Sequence, residues 1–255
     1  MSRPLLKRAL VRIVPLDPSE DAVAFLQGLV TNDVAALKPG YCVYAGLLTA
    51  QGKTLFDLFV WPLETPNGPG LLLDCEAQLA DELVATLSKY RLRRKLEIAV
   101  EPNAHVSWAR PETEEEEAKG TDPRLPELGF RSLLHLPPTG EGIDDEYLAH
   151  RLALGVPEGR AEMGDLLWLE TNAGELNGVS FTKGCYIGQE NTARMNWRSK
   201  VNRRLVVVPL AFSNPERNKA IYRDLELAVD HLRVEDIPAG VLPHWVTRGA
   251  EGESA

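Results

Sequence analysis

Two β-rich runs, 41–49 and 54–61, are joined by Ala50-Gln51-Gly52-Lys53. Strand-length runs separated by a short turn-forming link read as an antiparallel hairpin. An isolated hairpin is marginal in water, so a larger sheet must grow around this one and be covered. The flanking segments supply the cover. Upstream, Asp17-Pro18-Ser19-Glu20 reads as a helix start, with Asp17 as cap, Pro18 at the first helical position and Glu20 at the capping-box position. Val23, Phe25, Leu26, Leu29 and Val30 then give a helical apolar face that runs into Thr31-Asn32-Asp33. Downstream come a loop over 62–70, a short strand over 71–74, a helix over 76–90 and strands over 96–100 and 104–108. The fold class is therefore mixed α+β. Asp57 lies inside the second hairpin strand between Phe56 and Leu58. A carboxylate there either faces solvent on an alternating strand or is buried with a partner facing a cleft.

At 255 residues the chain exceeds the usual ~100–200 per domain, so one large or two to three small domains are expected. Residues 1–135 form the α+β part. Residues 136–200 interleave with it and contain a helix over 146–154 and an apolar run ending in Glu170. Residues 201–248 are a short β-rich C-terminal domain with strands over 204–210 and 225–234, and 249–255 a disordered tail. The acidic run Glu114–Glu117 has no apolar periodicity and reads as a solvated loop. The net charge of −9 argues against direct nucleic-acid binding. No run approaches ~20 apolar residues, so no membrane span is expected. Three widely spaced cysteines fit neither a disulfide framework nor a CxxC metal site, which implies a reducing compartment and a cytosolic (cytoplasmic) protein. A monomer is expected.

The chemistry concentrates in Lys183-Gly184-Cys185-Tyr186-Ile187-Gly188-Gln189-Glu190. A cysteine works as its thiolate, which a neighbouring lysine and a helix N-terminus both favour. Lys183 is two residues before Cys185, and a helix over 189–197 would begin just beyond it. The alternative is a buried, inert cysteine in a tight turn. Cys42 and Cys75 lack such surroundings and read as apolar packers. Between Lys183 and Arg204 six Lys/Arg (Lys183, Arg194, Arg198, Lys200, Arg203, Arg204) face one acid, Glu190. That basic stretch suits an anionic ligand tail or an acidic partner, or is a solvated helix face. No histidine pairs with Cys185 at metal-ligand spacing, and neither a P-loop nor a GxSxG elbow occurs.

The eight-residue stretch resembles the K-G-C-F/Y-x-G-Q-E signature of the YgfZ-type folate-binding proteins, relatives of the aminomethyltransferase of the glycine cleavage system. Weaker pieces agree: Phe25-Leu26-Gln27-Gly28 with Thr31-Asn32-Asp33-Val34, the hairpin turn 48–53, Tyr90-Arg91-Leu92-Arg93-Arg94-Lys95, and Asn177-Gly178-Val179-Ser180-Phe181. The resemblance covers about residues 5 to 210.

It implies a ring of three small domains around a central channel that receives tetrahydrofolate. The C-terminal domain is then a reduced, β-barrel-like unit. It also implies a role in assembly or repair of iron–sulfur clusters in client enzymes, with the assembly machinery as partner and downstream effects on tRNA modification. Cys185 is then the working thiol and Lys183 its neighbour. Asn32, Asp33, Asp57, Glu170, Gln189, Glu190 and Arg194 are expected around the folate. Glu170 is placed as the pterin-binding carboxylate, whose two oxygens suit a ring N–H and exocyclic amine side by side. The aminomethyltransferase relatives carry two aspartates where this chain has Phe56 and Asp57. That favours the maturation factor over the alternative, a folate-dependent aminomethyl or one-carbon transferase.

Overall fold

The computed structural model describes residues 3–111, 120–135, 140–197 and 201–247. The acidic run 114–117, Arg198, Lys200 and the tail from 249 lie outside them. The chain is mixed α/β, with three antiparallel sheets among the described residues. The largest is built from β2 (Arg8–Pro15), β3 (Val43–Leu48), β4 (Thr54–Thr65), β5 (Gly68–Glu76) and β6 (Leu96–Val100), in the order β3-β4-β5-β2-β6. Strand β1 (Arg3–Pro4) pairs with β7 (His105–Ala109), which pairs with β8 (Phe130–Leu134). The third sheet has the order β10-β11-β9, from β9 (Arg203–Pro209), β10 (Asn218–Tyr222) and β11 (Leu227–Arg233).

Both faces of the central sheet are covered, so β4 reads as a nearly unbroken buried run rather than an alternating one. One face packs on α1 (Ala22–Gln27) and α2 (Ala80–Arg91) through Phe25, Leu26, Leu83 and Leu87. The other meets Trp108, Tyr147, Trp168 and Val229 from the remaining elements, among them α3 (Asp144–Ala153). α4 (Arg160–Met163) and α5 (Gln189–Trp197) follow before the third sheet, and α6 (His244–Thr247) closes the described chain.

Three expectations are corrected. The first helix begins at Ala22, capped by Asp21, whose side chain accepts from the Ala24 N–H at 2.8 Å. Asp17 and Glu20 are taken elsewhere: Asp17 binds Ser19 and Lys95, and Glu20 binds Arg94 and the Lys95 N–H. The expected loop over 62–70 is instead the tight end of the β4–β5 hairpin, with Thr65 opposite Gly68. Its prolines are turn-type residues that mask the two strands. Pro62 and Pro69 lie beyond the last paired residues of β3 with β4 and of β2 with β5, so neither position has a second strand asking for an N–H. The β-barrel-like C-terminal domain is an open three-stranded sheet, because three strands of five to seven residues cannot close on themselves.

Candidate functional site

Lys183 organises the segment before the cysteine. Its ammonium is buried and donates to three backbone carbonyls, those of Gln27 and Val30 at 2.6 Å and Asn32 at 2.9 Å. All three ammonium protons are thereby committed to the turn that follows α1. Burial pushes the Lys183 pKa down to about 8, against the pull of Asp33. The early Thr31-Asn32-Asp33 stretch is the receiving half of this clamp. Thr31 Oγ1 donates to the Gly178 carbonyl at 2.6 Å and accepts from Gly46 N–H at 2.8 Å. Asn32 Nδ2 donates to the carbonyls of Tyr44 and Asn177. Asp33 accepts from Gln27 and from the Ala35 N–H.

The far end of the signature is fixed as firmly. Gly188 has φ +82 and faces the hairpin turn, where a Cβ would lie 2.5 Å from the Thr49 carbonyl oxygen. Asn191 donates to the Gln51 carbonyl at 2.6 Å. Between these anchors Tyr186 is buried, with the Lys183 ammonium 5.2 Å from its ring centre. Cys185 is exposed, whereas Cys42 and Cys75 are buried. Burial raises both buried thiols well above their ordinary range, Cys75 to about 12. Lys183 thus holds the loop through its backbone contacts, and Cys185 stands outside on it. Gln189, Glu190 and Arg194 lie on α5, of which Thr192 is the buried residue.

A second constellation lies beneath the central sheet. Arg8 pairs with Asp74 at 2.6 Å, Arg131 with Asp74 at 2.7 Å, and Arg124 with Asp122 and Glu158 at 2.8 Å. The Tyr147 hydroxyl donates to Glu158 and receives from Arg124 and Arg131. Phe59 lies against two of the guanidinium groups, with the Arg131 carbon 3.9 Å and the Arg124 carbon 4.7 Å from its ring centre. Asp57 joins this set, 3% exposed, accepting from the Gly159 N–H at 3.3 Å. Desolvation raises its carboxyl to about 6 despite Arg8, and Glu158 adds to the rise. Glu158, facing three arginines, is instead driven far below the carboxylate range in spite of its burial. A cavity of about 390 Å³ opens beside the network, lined by Lys7, Arg8, Glu76, Tyr147, Arg151 and Glu158 among others.

The nine expected site residues therefore do not form one cluster. Lys183, Asn32 and Asp33 share the clamp, Asp57 sits in the network, and Gln189, Glu190 and Arg194 are on α5. Glu170 faces the third sheet, 3.2 Å from His231 Nε2. None of them lines the cavity, although Asp57 touches its wall through Gly159. The sequence reading missed Arg8, Arg131, Tyr147 and Glu158. Arginines in otherwise apolar strands were the available signal for the first two. Glu158 lies in a Gly-Val-Pro-Glu-Gly stretch just beyond the helix expected over 146–154, where nothing marks it as buried. Among the described residues no group of three or more His, Cys, Asp or Glu is placed to hold a metal ion.

No family model matches the chain. Its relatives are informative. The chain is similar to iron–sulfur cluster assembly factors. It is 38% identical over 235 residues to the mitochondrial iron-sulfur cluster assembly factor IBA57 of Mus musculus, covering 80% of this chain and 64% of that protein. The Homo sapiens protein of the same name is 36% identical over 225 residues, 76% of this chain and 63% of that one. The Neurospora crassa homolog is 31% identical over 261 residues, 90% and 59%. The chain thus spans less than two thirds of the length of these relatives. Among solved structures, the glycine cleavage system aminomethyltransferase T of Bartonella henselae matches with a TM-score of 0.65 at 14% identity, over 94% of this chain and 80% of that one. The fold is therefore similar to that of the aminomethyltransferase.

These relatives overturn the cytosolic expectation, because they are named as mitochondrial proteins. The cysteine argument on which it rested speaks only to a reducing medium, which the cytosol is not alone in providing. No helix of the described residues is long and apolar enough to cross a membrane.

Proposed function

We propose that the chain is an iron–sulfur cluster assembly factor that binds a tetrahydrofolate and uses the Cys185 thiol as its working group. The observation that carries this reading is the contrast among the three cysteines. Two are buried among apolar side chains, and the third is exposed on a loop fixed at both ends by Lys183 and Gly188. The likeness to the IBA57 proteins supplies the class of work. Structural clusters take four cysteine ligands as a rule, so any cluster handled at Cys185 draws its other ligands from a partner chain or a small thiol. The assembly machinery and its clients are the partners this requires.

The residues around the cavity suit a folate. About 390 Å³ falls within the range of small-molecule sites. Glu76 lines it with a carboxylate that keeps acceptor capacity beyond its bonds from Arg160 N–H and Gln78, so it can meet the adjacent donors of a pterin. Lys7, exposed at the rim, would face the anionic glutamate tail. Arg8, Arg151 and Glu158 are already satisfied by protein partners and act as walls. In this reading the three sheets are three small domains around a channel, which the arginine–carboxylate network narrows to the cavity. When bound, the folate would supply one-carbon or reducing chemistry of its own; the protein's part is to hold and orient it. The aminomethyltransferase alternative would need Asp57 to reach a substrate, and at 3% exposure it is shielded from one.

The test joins two measurements. Calorimetric titration of the full chain with tetrahydrofolate should show one binding event, lost in Glu76→Ala. Cys185→Ala should bind folate unchanged yet fail to restore iron–sulfur enzyme activity in cells lacking the native protein. Normal enzyme activity with Cys185→Ala would end the thiol reading, and a flat titration the folate reading.

A further inference from the structure

α2 ends in a four-residue turn, residues 91–94, in which the Arg94 N–H donates to the Arg91 carbonyl at 3.0 Å. Leu92, its second residue, has φ 52 and ψ −116. Those angles belong to the first central position of a type II′ turn, a place glycine takes by default. A leucine there strains the backbone, and burial does not offset the strain, because Leu92 is 83% exposed. Tyr90 beside it is 39% exposed. The surroundings are cationic: Lys89 and Arg93 are exposed, and Arg93 makes no ion pair with the described residues. Arg94 and Lys95 are already matched by Glu20 and Asp17. An open groove of about 570 Å³, lined by Glu20, Leu92, Arg93 and Arg94, runs alongside.

We propose that this turn is a docking knob for an acidic protein partner, in which Leu92 enters an apolar pocket whose rim carries carboxylates for Arg93 and Lys89. Charge selects the partner. A chain of net −9 repels acidic proteins in general, so a local basic collar around one presented apolar side chain restricts approach to a single orientation. A nucleic acid or an anionic membrane would use the cations but gain little from one leucine held in a strained turn. This inference stands apart from the cavity and from Cys185.

The experiment uses the full chain. A benzophenone amino acid replaces Tyr90 in cells, the cross-linked protein is identified, and that protein is purified and titrated against wild type, Leu92→Gly and Arg93→Glu. Leu92→Gly should weaken binding at least tenfold while raising the melting temperature by about 2–4 °C, since it relieves the turn. Arg93→Glu should also weaken binding, and wild-type affinity should fall between about 50 and about 300 mM salt. Cross-links only to nucleic acid or lipid, no cross-link at all, or equal affinity of Leu92→Gly for the purified partner would overturn the proposal. So would a lowered melting temperature, which would make Leu92 a structural residue. Folate binding and Cys185→Ala rescue are read separately, so failure of either proposal leaves the other intact.

Discussion

Asp57 is a carboxylate that the fold holds in its neutral form more readily than water does. The buried network sets four arginines, Arg8, Arg124, Arg131 and Arg151, against five carboxylates, Asp57, Asp74, Asp122, Glu158 and Glu162. Desolvation leaves Asp57 as the surplus acid, with its carboxyl at about 6 against an ordinary 3.8. A carboxyl raised on folding binds its proton more tightly in the native state, so stability falls as pH rises from about 4 to about 6 and is level above. Asp57→Asn, which imitates the neutral form, should therefore stabilise the protein at pH 7 relative to wild type. Its advantage at pH 7 should exceed that at pH 4 by about 3 kcal/mol, from roughly two pKa units at about 1.4 kcal/mol each. Urea unfolding of both proteins across that range checks this, and a pH-independent difference would refute it. That Asp57 stood in an apolar strand was legible in the sequence, and so was the choice between solvent and a buried partner. The partners were not legible, because Arg8 and the Gly159 N–H come from positions 49 residues before and 102 after. The anchorage of Lys183 was hidden for the same reason. Its nearness to Cys185 in sequence was visible, while the three carbonyls that take its protons come from residues 27–32.

At the scale of elements, the hairpin turn and the signature loop act as one unit. Trp168 N–H donates to the Gly52 carbonyl at 3.1 Å, Asn191 reaches Gln51, and Gly188 lies against Gly52, whose α-carbon would be 3.0 Å from an added Cβ. Gly188→Ala meets two obstacles, a left-handed backbone at φ +82 and the Thr49 oxygen at 2.5 Å. It should cost about 2–3 kcal/mol and loosen the start of α5. Its urea midpoint should drop and its Cys185 should react faster with an alkylating reagent, while Cys42 and Cys75 stay protected until unfolding. An unchanged midpoint would show that the hairpin does not brace the loop. The sequence made both glycine-bearing motifs visible and placed the hairpin and α5. Their contact was invisible, because 136 residues separate Gly52 from Gly188 and no periodicity reports a meeting of two turns. β10 was hidden for a local reason, since Asn218 and Lys219 break alternation at a register shift against β11.

Over the whole molecule, the third sheet joins the central core through Leu205 and Val229, and polar bonds add to that attachment. Tyr222 on β10 donates to Glu162, which Arg151 of α3 pairs at 2.7 Å and the Glu158 N–H meets at 2.9 Å. Lys219 reaches the Gly164 carbonyl, and Asn172 donates to the Leu205 carbonyl of β9. Glu162 is thus the node where α3, α4 and the third sheet meet. Burial of such a pair does not by itself establish a stabilising effect, since desolvation opposes the attraction. Removing one partner is a different matter. Arg151→Met leaves the Glu162 carboxylate buried without its cation and should destabilise the protein by about 3–5 kcal/mol. Arg151→Met with Glu162→Met removes that stranded charge, leaving Tyr222 and the Glu158 N–H to find other acceptors. The double variant should be less destabilised than the sum of the two single ones by about 1–3 kcal/mol. If the two losses simply add, Arg151 and Glu162 are not coupled and the node does not bind α3 to α4.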